Sequence, residues 1–77
     1  MKVFVFINTE LEKEKEVLQR LRGTWSVREA YMLYGTYDVV AVIEADSMEN
    51  LNQIYKKITR IEGVQPTTTM ITIEGKN

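Results

Sequence analysis

The stretch Tyr34-Gly35-Thr36-Tyr37-Asp38-Val39-Val40-Ala41-Val42-Ile43-Glu44 decides the fold. Gly35 permits the positive φ of a tight turn and leaves backbone amides open on one side. Asp38 then stands at the mouth of a strand that is apolar at every position from Val39 to Ile43. An antiparallel strand with one wet face alternates apolar and polar residues, so this one must be dry on both faces. Upstream, Ser26 to Leu33 is rich in β-branched and aromatic residues and reads as the partner strand. The two predict an antiparallel hairpin turning at Gly35, with the second strand running from Asp38 to Glu44.

The chain outside the hairpin repeats this vocabulary. Lys2 to Asn8, dominated by Val, Phe and Ile, predicts a first strand. Thr9 followed by Glu12 has the spacing of a capping box, which predicts a helix from there to Arg22, stopped by Gly23. Leu11, Val17, Leu18 and Leu21 form its apolar face, and Glu16 and Arg20 stand four apart as an ion pair. Ser47 caps a second helix whose Leu51, Ile54, Tyr55 and Ile58 keep helical spacing, with Gly63 ending it. Pro66 marks the connection to a last strand, Thr67 to Glu74. The order βαββαβ predicts one α+β domain over residues 1–77, a ferredoxin-like sandwich.

Both helices of such a fold lie on one side of the sheet. Val3-Phe4-Val5-Phe6-Ile7 and Val39 to Ile43 nevertheless ask for cover on both sides. A second copy of the sheet is the natural cover for an apolar patch of that size. The residue pattern therefore predicts a homodimer, with Val5 and Val42 as positions where a glutamate would abolish assembly. Tyr31 and Tyr34 are expected in the core or a subunit interface, and Trp25 at the domain edge.

Composition narrows the function. The chain has no cysteine and no histidine, which removes thiol chemistry, the usual general base and the commonest transition-metal ligand. A formal net charge of −1 gives no footprint for nucleic acid or an anionic membrane. Lys56, Lys57 and Arg60 cluster on the second helix without a stacking platform of aromatics, and read as solubility. Apolar runs of five residues are far below a membrane span, and no secretory signal pattern opens the chain, so a cytoplasmic protein is expected.

Near the C-terminus, Val64-Gln65-Pro66-Thr67-Thr68-Thr69-Met70-Ile71 sets three adjacent hydroxyls at the start of a strand. Together with Gly35-Thr36-Tyr37-Asp38, it resembles the ligand-binding (RAM) module of the Lrp/AsnC (feast/famine) regulators. There a Gly-x-Tyr-Asp turn and a Val-x-x-Thr-x-Thr-like strand start help form a small-molecule site. The resemblance runs from Lys2 to Glu74. It implies a dimeric α+β barrel, two sheets face to face, assembled further into an octamer-like ring. It also implies an amino-acid-like effector bound by Gly35, Thr36, Tyr37, Asp38, Thr67, Thr68 and Thr69.

The chemistry suits that ligand. Asp38 can accept from an α-ammonium group, while turn amides and threonine hydroxyls can donate to an α-carboxylate. Side chains alternate along a strand, so Thr67 and Thr69 share a face and Thr68 points away. Only part of the trio can then meet one ligand. No cofactor or metal is called for.

Full-length members of that family carry an N-terminal helix-turn-helix domain, for which 77 residues leave no room. The implied role is an effector-binding and oligomerisation module that modulates transcription without binding DNA itself, alone or by co-assembly with full-length regulators. Three alternatives stay open on the residues. A small dimeric ferredoxin-like enzyme of monooxygenase or isomerase type would have only Asp38, Glu29, Glu44 or tyrosine hydroxyls for proton transfer. An ACT-like domain would join sheets side by side, against the two-faced strands. The last is a structural assembly module without ligand.

Overall fold

The strand Val39–Glu44 is buried from Val39 through Ile43, as its unbroken apolar run requires. It is the third strand (β3) of a computed structural model that describes residues 1–73. Around it lie β1 (Lys2–Ile7), α1 (Glu14–Arg22), β2 (Val27–Met32), α2 (Met48–Thr59) and β4 (Thr69–Ile73). The sheet order is β2-β3-β1-β4 and every neighbouring pair is antiparallel. The ferredoxin-like α+β architecture is thus the observed one. No helix among the described residues is long and apolar enough to cross a membrane.

Register sorts the strand residues into two faces. Val3, Val5 and Ile7 lie opposite Ile43, Ala41 and Val39, and all six join Val17 and Leu21 of α1 and Leu51, Ile54 and Ile58 of α2 in one core. On the other face Phe4 and Phe6 lie opposite Val42 and Val40, with Ile71 beside Phe4 on β4. Phe4 and Phe6 are only half-buried and Ile71 is exposed, so in a single chain this face is uncovered. Val42 belongs to it. Val5 does not: it is fully buried under the helices, because strand parity puts it with Val3 and Ile7.

The first helix departs most from expectation. α1 begins at Glu14, Lys13 occupies the N-cap, and no side chain caps it. Thr9 is no cap because its amide and hydroxyl bond elsewhere, and the chain then turns, with Lys13 N–H donating to the Glu10 carbonyl at 3.0 Å. Glu12 has φ 67, a left-handed conformation that excludes it from the helix. Leu11 is accordingly 86% exposed instead of lining the helix face. Glu16 pairs with Lys13 at 3.3 Å, not with Arg20.

At α2 the Ser47 hydroxyl accepts from the Asn50 amide at 3.1 Å, a side-chain N-cap where one was expected. That helix ends at Thr59, four residues before Gly63. β4 starts at Thr69 rather than Thr67, and Glu74, assigned to that strand, lies outside the described residues. Trp25 is 91% exposed and Tyr34 fully so, so within a single chain Trp25 does not pack at the edge and Tyr34 is not in the core. Tyr31 stands half-exposed on β2, opposite Val40 on the helix-free face. Its hydroxyl donates to the Glu29 carboxylate; that bond, and then the carboxylate's charge, hold the phenol above its ordinary range.

Candidate functional site

One end of the sheet gathers the finish of β1, the start of β3 and the lead-in to β4. The β2–β3 turn arrives there because Leu33 N–H donates to the Asp38 carbonyl, and Asp38 N–H to the Ile7 carbonyl, both at 2.9 Å. Gly35 has φ 127, and a Cβ there would meet nothing within 4 Å. Its requirement is conformational, not spatial. Gly35 and Thr36 are exposed, while Tyr37 and Asp38 are half-buried.

Tyr37 joins the two segments singled out in the sequence. Its ring packs on Phe6 with centroids 5.5 Å apart, tilted at 48°. From there its hydroxyl reaches Thr69 Oγ1 at 3.0 Å. Thr69 Oγ1 also lies 3.3 Å from the Thr67 carbonyl, to which it donates. Asn8 Nδ2 donates to Thr67 Oγ1 at 3.1 Å. Thr67, in the turn before β4, and Thr69, its first residue, are both exposed.

Thr68 turns inward and is nearly buried. Its hydroxyl donates to the Gln65 carbonyl at 2.9 Å and its own carbonyl accepts from the Tyr55 hydroxyl at 3.0 Å. Both contacts are internal, so Thr68 serves the packing of α2 on the strand.

Asp38 points away from Tyr37. Its Oδ2 accepts from the Thr9 amide at 2.8 Å and the Thr9 hydroxyl at 3.3 Å. It also lines a cleft of about 510 Å³ between the start of α1 and the hairpin, shared with Glu12, Glu14, Lys15, Met32, Leu33 and Tyr34. The seven expected residues therefore fall into two groups. Tyr37, Thr67 and Thr69 are brought together on the helix-free side, and Asp38 borders the cleft. Gly35 and Thr36 form the exposed turn between, and Thr68 is withdrawn.

Sequence reading missed Asn8 and Thr9. Thr9 carries a strong local capping signal, and nothing in one sequence reveals that its hydroxyl crosses to a residue 29 positions away.

A four-stranded antiparallel sheet with both helices on one side defines a ferredoxin-like α+β domain. A family model described as Lrp/AsnC ligand binding domain matches residues 2–76, and the chain belongs to that family. It is 34% identical over 71 residues to the HTH-type transcriptional regulator FL11 of Pyrococcus furiosus, an overlap covering 92% of this chain and 47% of that protein. The chain thus spans about half the length of the curated relatives it matches. The crystal structure of FFRP-DM1 is 34% identical with a TM-score of 0.84, covering 91% of this chain and 93% of that one. A feast or famine regulatory protein from M. tuberculosis, complexed with L-methionine, shares the fold at 20% identity and a TM-score of 0.74, covering 99% of this chain and 52% of that one.

Proposed function

We propose that this domain binds a free amino acid or a close relative of one at the sheet end where the β2–β3 turn meets the lead-in to β4. It assembles as a homodimer through its helix-free face, and further into rings, and it modulates transcription as an effector-binding module rather than as an enzyme. The observation that carries the reading is the Tyr37–Thr69 contact of 3.0 Å, which joins two segments otherwise 32 residues apart. The methionine complex of a structural relative supports an amino-acid effector.

Asp38 is the counter-charge for the α-ammonium group through its Oδ1, since Oδ2 is taken by Thr9. The hydroxyl of Thr67, with the turn amides near Gly35, faces the α-carboxylate. Calorimetry against the twenty amino acids tests this. Asp38→Asn keeps an oxygen for the Thr9 amide but removes the charge, so it should weaken binding by about 1–3 kcal/mol while melting close to the parent. Asp38→Ala should cost similar binding and also stability, because the Thr9 amide then lacks its acceptor in a nearly buried place. Several amino acids binding Asp38→Asn as tightly as the parent would remove Asp38 from the site. If none binds the parent at millimolar concentration, a structural assembly module without ligand replaces this reading.

On this reading the 77-residue chain does not bind DNA itself and reaches regulation by co-assembly with full-length relatives. Its net charge of −1 supplies no excess of cations to displace counterions from phosphates. Sub-micromolar, salt-sensitive binding of the chain to duplex DNA, read by fluorescence anisotropy, would refute that part.

A further inference from the structure

Asn8 and Thr9 belong to neither segment of the proposed site, yet they touch both. Thr9 is only 6% exposed, and its amide and hydroxyl converge on one oxygen of Asp38. Asn8 gives its side-chain amide to Thr67 Oγ1. Their backbone is fastened to the strand connection that carries the threonines. Thr9 forms an isolated antiparallel bridge with Val64, and the Asn8 carbonyl accepts from Gln65 N–H at 2.8 Å. The dipeptide is a strut between the two halves.

We infer that Asn8 and Thr9 are positioning residues that fix the spacing and the hydrogen-bond polarity of the two halves of the effector site. The inference rests on the effector-binding reading. Its polarity argument is specific. Two donors on Asp38 Oδ2 leave Oδ1 as the acceptor for an ammonium group. An amide donating into Thr67 Oγ1 satisfies that oxygen's acceptor role and frees the hydroxyl proton to point at a carboxylate. The strut thus presents an acceptor on one side and a donor on the other, the complement of a zwitterion. An acceptor in place of the Asn8 amide would claim the Thr67 proton and reverse one half.

Three variants and two readouts test this. Thr9→Val removes the hydroxyl and keeps the shape; Thr9→Ser restores the hydroxyl; Asn8→Asp is near-isosteric but exchanges donor for acceptor. Affinity is read by calorimetry, well below each variant's melting temperature, with whichever amino acid binds the parent. The χ1 angles of Asp38 and Thr67 are read from NMR couplings in the unliganded protein. Thr9→Val should bind about tenfold more weakly and Thr9→Ser within about threefold of the parent, the loss and return of one charge-assisted hydrogen bond. Asn8→Asp should lose at least as much as Thr9→Val.

Asp38 should hold one χ1 rotamer in the parent and spread over others in Thr9→Val, where the amide alone still donates to Oδ2, while Thr67 should keep its rotamer in Asn8→Asp with the hydrogen bond reversed. Unchanged affinity in either Thr9→Val or Asn8→Asp overturns the inference. So does an Asp38 rotamer distribution in Thr9→Val identical to the parent's, or failure of Thr9→Ser to recover binding. Should the parent bind no amino acid, the effector reading fails by itself. The Asp38 rotamers in Thr9→Val then decide alone whether the strut holds that carboxylate.

Discussion

Val42→Glu is expected to leave a folded monomer where the parent is expected to dimerise, while Val5→Glu, on the adjacent central strand, is expected to leave no folded protein. Val5 lies at zero exposure between the sheet and the helices, and a carboxylate there has no route to water. The cost of burying an unpaired charge, several kcal/mol even after relaxation, matches the whole stability of a small domain, about 5–15 kcal/mol at most. Val42 points to the uncovered face, where in a single chain a longer side chain can climb past its neighbours into solvent. In a face-to-face dimer that escape closes. Two glutamates, each directly across from a Glu29 on β2, would enter the interface. On that face the Lys2 ammonium over the Phe4 ring is one cation against these two carboxylates in each chain. Dimer affinity should weaken at least ~1,000-fold, the equivalent of about 4 kcal/mol. Light scattering at micromolar concentration with circular dichroism separates the outcomes. A parent species of 9.0 kDa would sink the dimer outright. A dimeric Val42→Glu would move the interface to another surface.

Gly63→Val should be the most damaging glycine substitution. Gly63 has φ 97, a conformation that costs a residue with a Cβ roughly 1–2 kcal/mol. The added Cβ would also stand 3.0 Å from Lys13 Cβ and 3.2 Å from Val17 Cγ2, and Val17 is fixed in the core. Overpacking of that kind adds about 1–3 kcal/mol. The shift would also strain the 2.7 Å bond from Glu10 N–H to the Gly63 carbonyl, which holds the start of the β1–α1 connection. Gly35→Val is the matched control. It meets the same kind of backbone strain in open space, so only the first of the two costs applies. Thermal melts should rank Gly35→Val well above Gly63→Val. Equal loss would mean that the contact with α1 relaxes freely.

Why some features were legible and others not follows from the range over which each is determined. The doubly buried β3 could be read because an apolar run leaves no wet face, and the residues do bury from Val39 to Ile43. The Ser47 cap was legible because its acceptor and the Asn50 amide are three positions apart. The split of Thr68 from Thr67 and Thr69 came out as expected although the strand starts only at Thr69 and Thr67 lies in the turn before it. The Thr9 cap was wrong for the opposite reason: the same local pattern was outbid by a long-range acceptor, Asp38, that only folding brings near. Placing Leu11 on the helix face failed with it, since that placement rested on an N-cap at Thr9, four residues before the observed one at Lys13. Asp38 stands out in the sequence at the mouth of an apolar strand, yet its facing away from Tyr37 depends on Thr9, and no turn rule predicts that.

The order of strands across the sheet has a consequence in time. β1 is made first on any ribosome, but it is a central strand, and its two partners come later. Val3 waits for Ile43, and Lys2 finds Ile73 only when nearly all of the 77 residues exist. Closing loops of that span costs chain entropy before any contact repays it, so this domain is expected to fold more slowly than a helical bundle of its size. Until β3 emerges, Val3 to Ile7 is a bare adhesive segment. The charged run from Glu10 to Glu16 follows close behind it, the kind of flanking charge that opposes association between exposed apolar segments.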